Sequence, residues 1–150
     1  FLGNSKVTLF GGAYGYYSGA SFQNLPQNFH AGTSEFIIED RNENIWISCQ
    51  NGVFRFDEKS IAKISPEFAV CILEDKIGNI WFSGGEVTGR EMILLKYNGK
   101  SLTEITRSKQ IFGIIEDRTG NIWYGTANGV IRYDGKVFED KKKKIQMGKE

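Results

Sequence analysis

Short apolar stretches recur along the chain between clusters of Gly, Asn, Asp and Ser. Phe36-Ile37-Ile38, Ile72-Leu73 and Ile114-Ile115 each run into a Glu-Asp pair, and each is followed by an Asn-Ile-Trp triplet. A few consecutive apolar residues bounded by turn residues predict a short, fully buried strand, expected innermost in its sheet. After each Trp comes a second pair of candidate strands. Asn51-Gly52-Val53-Phe54-Arg55-Phe56-Asp57 follows the first copy, Leu95-Lys96-Tyr97-Asn98-Gly99 the second, and Asn128-Gly129-Val130-Ile131-Arg132-Tyr133-Asp134 the third. The anchoring residues Asp40, Asp75 and Asp117 lie 35 and 42 positions apart. Such periods fit a unit of four short strands, roughly 40–45 residues in well-known repeats of this kind.

The turn residues carry their own physical signals. In Asp117-Arg118-Thr119-Gly120-Asn121 the Asp can accept backbone N–H bonds, and the Gly can take a positive φ without a Cβ penalty. Glu43 stands where the other copies have that Gly. Either the turn differs there, or it carries strain on the order of 1 kcal/mol. Asn51-Gly52 and Asn128-Gly129 predict type I′ turns between the second and third strands. Tyr17-Ser18-Gly19, Tyr97-Asn98-Gly99 and Tyr133-Asp134-Gly135 would turn strand three into strand four. Each Trp begins a second strand, where a large flat side chain can fill the gap between twisted neighbouring sheets.

A weaker copy opens the chain. Aligning Tyr16-Tyr17-Ser18-Gly19 with Arg132-Tyr133-Asp134-Gly135 sets Val7 opposite Trp123 and Phe1 opposite Asp117, so the innermost strand of that unit is missing. The expected fold is all-β: about three complete four-stranded β-propeller blades plus one incomplete N-terminal blade. The incomplete blade takes residues 1–28, and the others approximately 34–66, 68–107 and 110–140. Residues 141–150 form either a basic tail or a ring-closing strand. Without closure, further blades or a homo-oligomer are expected to complete the propeller.

These residues closely resemble the two-component regulator propeller repeat, whose motif runs hydrophobic-Leu-Glu-Asp-x-x-Gly-Asn-Ile-Trp-hydrophobic-Gly-Thr and then Asn-Gly-hydrophobic-x-Arg-Tyr. The third copy, through Trp123-Tyr124-Gly125-Thr126, matches almost throughout; the second departs after Trp81 with Ser83-Gly84-Gly85 and an insertion. The resemblance implies a sensor region of a bacterial two-component regulator, periplasmic or extracellular, often responsive to carbohydrate. The motif itself is structural, so it names a fold and not a ligand.

Composition sharpens this picture in three places. Residues 1–135 hold thirteen Lys/Arg and fifteen Asp/Glu, whereas 136–150 hold six and three. With no second basic cluster, the Lys141–Lys144 run reads as a solvated tail, and neither nucleic acid nor membrane insertion is expected. Cys49 and Cys71 fall at strand positions and are expected as buried free thiols. The chain starts with Phe1, so a removed leader or a longer parent polypeptide is expected.

Catalytic chemistry finds little support. No Gly-x-Ser-x-Gly elbow and no pair of His at ligand spacing occurs, and Gly84-Gly85 reads as a strand connection rather than a phosphate loop. His30 is the only His. It cannot build a multi-histidine metal centre, and it argues against a resemblance to the streptogramin lyases, propeller enzymes with a catalytic His. The pairs Glu39-Asp40, Glu74-Asp75 and Glu116-Asp117 look like dyads singly, but they recur in every unit. Neighbours in a strand also point to opposite faces. No catalytic residue, metal site or cofactor is expected.

Function is then sought where the repeats differ. Alternating strand direction puts the four-to-one and two-to-three connections on one rim and the motif turns on the other. His30, Glu86, Arg90 and Lys109 on the variable rim are the candidates for contacting a carbohydrate, another small molecule or a protein. The expected function is a non-catalytic ligand-sensing or interaction module. The alternatives are a structural propeller fragment of a larger protein, or a propeller lyase or hydrolase.

Overall fold

The computed structural model describes residues 6–10, 13–17, 22–24, 34–57, 59–85 and 91–141. All its strands are antiparallel to their neighbours and paired in chain order, forming four separate sheets. The first sheet holds β1 (Lys6–Phe10), β2 (Ala13–Tyr17) and β3 (Phe22–Asn24). The second holds β4 (Ser34–Glu39), β5 (Ile45–Cys49), β6 (Gly52–Phe56) and β7 (Ile61–Ser65). The third comprises β8 (Phe68–Glu74), β9 (Ile80–Gly85), β10 (Met92–Tyr97) and β11 (Leu102–Ser108). The fourth comprises β12 (Phe112–Glu116), β13 (Ile122–Thr126), β14 (Gly129–Tyr133) and β15 (Phe138–Asp140). This is the expected architecture of propeller blades.

The core lies between sheets. Because side chains alternate along a strand, a middle strand sends apolar groups to both faces. On one face of the third sheet, Ile80, Phe82 and Leu95 pack against Trp46 and Val53 of the second. On its other face, Trp81, Cys71 and Leu94 pack against Ile114, Ile122 and Tyr124 of the fourth. The first strands meet each other, β4 with β8 and β8 with β12, which puts them innermost. Each of the three carries an irregularity in register at its start, at Ser34/Phe36, Ala69/Cys71 and Phe112/Ile114. A repeated bulge bends each strand at the same end.

Three expectations need correction. The first strands are not fully buried: Phe36, Phe112 and Ile115 are exposed, while β5 and β9 are buried along their whole length. A second strand is paired on both edges, whereas a first strand keeps one edge free toward the axis and depends on the next sheet for cover. The turns after β5 and β13 are not type I′ pairs of Asn and Gly. Gln50-Asn51 and Ala127-Asn128 are the two turn residues, with Cys49 opposite Gly52 and Thr126 opposite Gly129. Neither Asn has a positive φ; Gly52 and Gly129 do, at 127° and 141°. These are turns with Gly in the fourth position. A Cβ at Gly52 would come 2.1 Å from the Ser65 carbonyl oxygen, so the close approach of β7 demands Gly there. Gly84 and Gly85 are not a connection either. They end β9 inside the sheet, paired to Ala69 and Phe68 on one side and to Ile93 and Met92 on the other.

Two other expectations resolve cleanly. Cys49 and Cys71 are buried and free, and burial pushes both thiols up. The Glu43 turn has the same backbone bonds as the other copies: Glu43 N–H to Asp40 C=O matches Gly78 to Asp75 and Gly120 to Asp117. Glu43 accordingly sits at φ 65°. The strained alternative is the real one.

Candidate functional site

The motif rim is built from three copies of one polar knot. In the third sheet Asp75 Oδ1 accepts the N–H groups of Ile77 and Asn79, and Oδ2 accepts Asn79 Nδ2 at 2.7 Å and Trp81 Nε1 at 2.8 Å. Asp40 receives Asn42, Asn44 and Trp46 in the same way. Asp117 receives Thr119, Asn121 and Trp123. For Asp40 and Asp75, burial works against the charged form. The bonds from Trp, Asn and the turn amides outweigh it together and hold both carboxyls below the usual range. At Asp117 the Trp123 and Asn121 bonds dominate, and the carboxyl is held far down. All three are acceptors spent on the scaffold, not free acids.

The Glu of the second and third pairs reaches in another direction. Glu74 takes the backbone N–H of Arg41 at 3.0 Å and its Nε at 2.6 Å, from the preceding sheet. The same guanidinium donates from Nη1 to the Lys76 carbonyl at 2.7 Å. One sheet along, Glu116 accepts the Lys76 N–H at 2.8 Å while the Lys76 ammonium donates to the Asp117 carbonyl. Each joint thus links the residue after one motif Asp to the residue before the next. The repeated Trp completes it: Trp46 tilts against Tyr97 at 5.6 Å between centroids, and Trp81 meets Tyr133 edge-on at 6.3 Å. Ser48 Oγ adds a bond to the Ala69 carbonyl nearer the axis. Sequence reading missed these joints. Their signal was available as a basic residue after each motif Asp (Arg41, Lys76, Arg118) in step with a Glu before it.

A cleft of about 230 Å³ opens on this rim between the third and fourth sheets, lined by Ile77, Trp81, Lys96, Glu116, Tyr133 and others. Its polar lining is largely committed. Lys96 lies over the Trp81 ring, Glu116 holds Lys76, and Asp134 caps its own turn.

The opposite rim carries the irregular connections. Register brings Phe68, Gly85, Met92 and Ser108 to one end of the third sheet. The Ile111 N–H then donates to Met92 Sδ, tying the link into β12 to the same rim. Arg107 pairs with Glu104 through two bonds of 2.7 Å on an exposed surface. Of the four candidate residues, Lys109 lies in the exposed bend after β11. His30, Glu86 and Arg90 lie outside the described residues. Among the described residues, no three His, Cys, Asp or Glu side chains cluster as a metal site, and no helix is long and apolar enough to cross a membrane.

Residues 107–128 match the family described as two component regulator propeller. No curated protein matches the sequence. Among solved structures, the chain is similar to the extracellular domain of a B. thetaiotaomicron protein described as a hybrid two component system. The TM-score is 0.67 at 17% identity, over 85% of this chain and 19% of that one. A second structure, described as the extracellular domain of a one component system from B. thetaiotaomicron, gives 0.67 at 18% identity with the same coverage. A catalytically inactive virginiamycin B lyase from Staphylococcus aureus, solved with quinupristin, gives 0.63 at 14% identity over 86% of this chain and 48% of that one. The chain spans about a fifth of the length of the two B. thetaiotaomicron extracellular domains and about half of the lyase. At these identities the likeness is one of fold.

Proposed function

We propose that this chain, which carries the two-component regulator propeller repeat, is a non-catalytic ligand-sensing or protein-interaction module. Its working surface is the variable rim, with His30, Glu86, Arg90 and Lys109 contacting a polar ligand, carbohydrate first among the candidates. One observation carries the reading: the three motif Asp residues, with Glu74 and Glu116, are committed to holding a turn, a Trp or the neighbouring sheet. The groups that resemble catalytic dyads are therefore joinery, which leaves the irregular connections as the surface free to vary. The extracellular domains among the similar structures support a placement outside the cytoplasm. The lyase among them supports only the fold, because one fold hosts unrelated chemistries.

The test is a binding screen of the purified chain against oligosaccharides, followed by calorimetry on any hit. Glu86→Ala, Arg90→Ala and Lys109→Ala should each weaken binding by about tenfold, the loss of one charge-assisted hydrogen bond of about 1.5 kcal/mol. Their unfolding midpoints should stay unchanged. If binding survives all three substitutions intact, the site is not on this rim.

A further inference from the structure

The joint between the second and third sheets and the joint between the third and fourth share one plan but are not filled alike. Arg41 gives its backbone N–H to Glu74 Oε2 and its Nε to Oε1, and its Nη1 and Nη2 reach the Lys76 and Asp75 carbonyls. That guanidinium lies against the next turn: a Cβ on Gly78 would stand 3.7 Å from Arg41 Nε and 3.8 Å from its Cζ. One joint along, Lys76 holds the place of Arg41. Its N–H goes to Glu116 Oε2 and its ammonium to the Asp117 carbonyl. An ammonium is a point donor and does not fork as a guanidinium does. Glu116 Oε1 and the Arg118 carbonyl, the counterparts of Glu74 Oε1 and the Lys76 carbonyl, therefore receive no donor among the described residues. A Cβ on Gly120 would meet only that Oε1, at 3.7 Å.

Glu116 and Gly120 are walls of the cleft of about 230 Å³ on the motif rim. Two more of its lining residues break the repeat. Lys96 stands where the second and fourth sheets have Arg55 and Arg132, and Ile77 where the other turns have Asn42 and Thr119. Arg132 forks between Asn121 and Glu139. The Lys96 ammonium has the Trp81 ring 5.3 Å away and no hydrogen-bond acceptor among the described residues. Thr119 bonds to Asp117, whereas Ile77 adds nothing to its knot through its side chain and is 81% exposed. Asp134, also in the lining, caps its turn through Oδ1 alone. The contacts that fix these groups thus leave each with bonding capacity toward the cleft. We propose that the cleft binds a small amphoteric guanidinium compound of the free-arginine class, on the rim opposite the surface proposed above and independently of it. Its guanidinium bonds to Glu116 Oε1 and the Arg118 carbonyl against Gly120, as Arg41 does to Glu74 and the Lys76 carbonyl against Gly78. Its carboxylate pairs with Lys96, its amine with Asp134, and its methylenes cover Ile77. The cleft is smaller than the roughly 300 Å³ at which drug-sized pockets begin, and suits a single amino acid.

The experiment titrates L-arginine into the full chain, with calorimetry for affinity and the Trp81 indole N–H resonance for location. Saturable binding that shifts the Trp81 signal is expected. L-lysine, which cannot fork, and agmatine, which lacks the carboxylate, should each bind about tenfold more weakly, the loss of one charge-assisted interaction. Lys76→Arg supplies the guanidinium from within the chain. It should weaken L-arginine at least about tenfold while the unfolding midpoint stays level or rises. Lys96→Met should weaken L-arginine about tenfold and leave agmatine unchanged, a split that a purely structural Lys96 would not give. Absence of saturable L-arginine binding overturns the proposal, and so does L-lysine binding equally well. Undiminished binding by the Lys76→Arg chain overturns it too. Binding lost on Glu86→Ala or Arg90→Ala, with the Trp81 signal unmoved, would place the ligand on the variable rim instead and overturn this assignment.

Discussion

Glu43→Gly is expected to stabilise the protein although it removes a side chain and adds none. The residue is held at φ 65° by the same turn that uses Gly78 at 89° and Gly120 at 88°. An L-residue with a Cβ pays roughly 1–2 kcal/mol in that region. Gly gives back about 0.4–1 kcal/mol, because the unfolded chain gains freedom. The net gain is about 0.5–1 kcal/mol, or about 1–4 °C in Tm for a chain of this size. Among the described residues Glu43 makes only its backbone bond to Asp40, which Gly retains. Two companions isolate the cause. Glu43→Ala removes the carboxylate but keeps the Cβ, so it should be close to neutral. Gly120→Ala should cost about what Glu43→Gly gains, since a Cβ there would meet nothing nearer than Glu116 Oε1 at 3.7 Å. Thermal and urea unfolding measure all three. The reasoning fails if Glu43→Gly destabilises, or if Glu43→Ala stabilises equally.

Other expectations follow from the knots and joints. Asp40, Asp75 and Asp117 have lowered folded-state pKa values, so they bind fewer protons folded than unfolded. Their contribution is complete above the unfolded carboxyl value near ~4 and is lost as pH falls toward the folded values. The urea midpoint should drop steadily below about pH 4, and Asp75→Asn should flatten that slope. Glu74→Ala and Arg41→Ala should each cost about 1–2 kcal/mol. Their double mutant should cost less than the sum by about 1 kcal/mol, as a double-mutant cycle would show. Gly52→Ala should cost at least about 2–3 kcal/mol, because its Cβ would overlap the Ser65 carbonyl. A value under 1 kcal/mol in equilibrium unfolding would mean that β7 yields easily.

How much of this was readable from sequence depends on whether a residue repeats. Asp75, Asn79 and Trp81 recur at fixed offsets, so their shared role in one unit could be seen without coordinates. The Arg41–Glu74 joint also recurs, but its partners lie 33 residues apart in different sheets. Periodicity alone does not say that they touch. The Asn51-Gly52 turn was placed one residue late because the Gly signal is ambiguous. A positive φ at the fourth position of a turn leaves the same dipeptide in the chain as one at the third. Burial of the first strands was overestimated for a related reason. An apolar run reports what a strand prefers to meet, whereas Ile115 and Phe112 show that the meeting depends on a neighbour. His30, Glu86 and Arg90 break the pattern, and no repeated environment exists from which their neighbours could be inferred.

The inter-sheet joint has a direction. The third and fourth sheets each carry a base and an aromatic ring facing forward, and an acid and a Tyr facing back, much as a restriction fragment carries complementary cohesive ends. Any unit can then follow any other without redesign of either surface. Duplication or loss of one repeat would leave every remaining junction chemically matched. The number of units in such an array is set by the angle between sheets rather than by the joints, and a lineage can change its blade count faster than its junction chemistry.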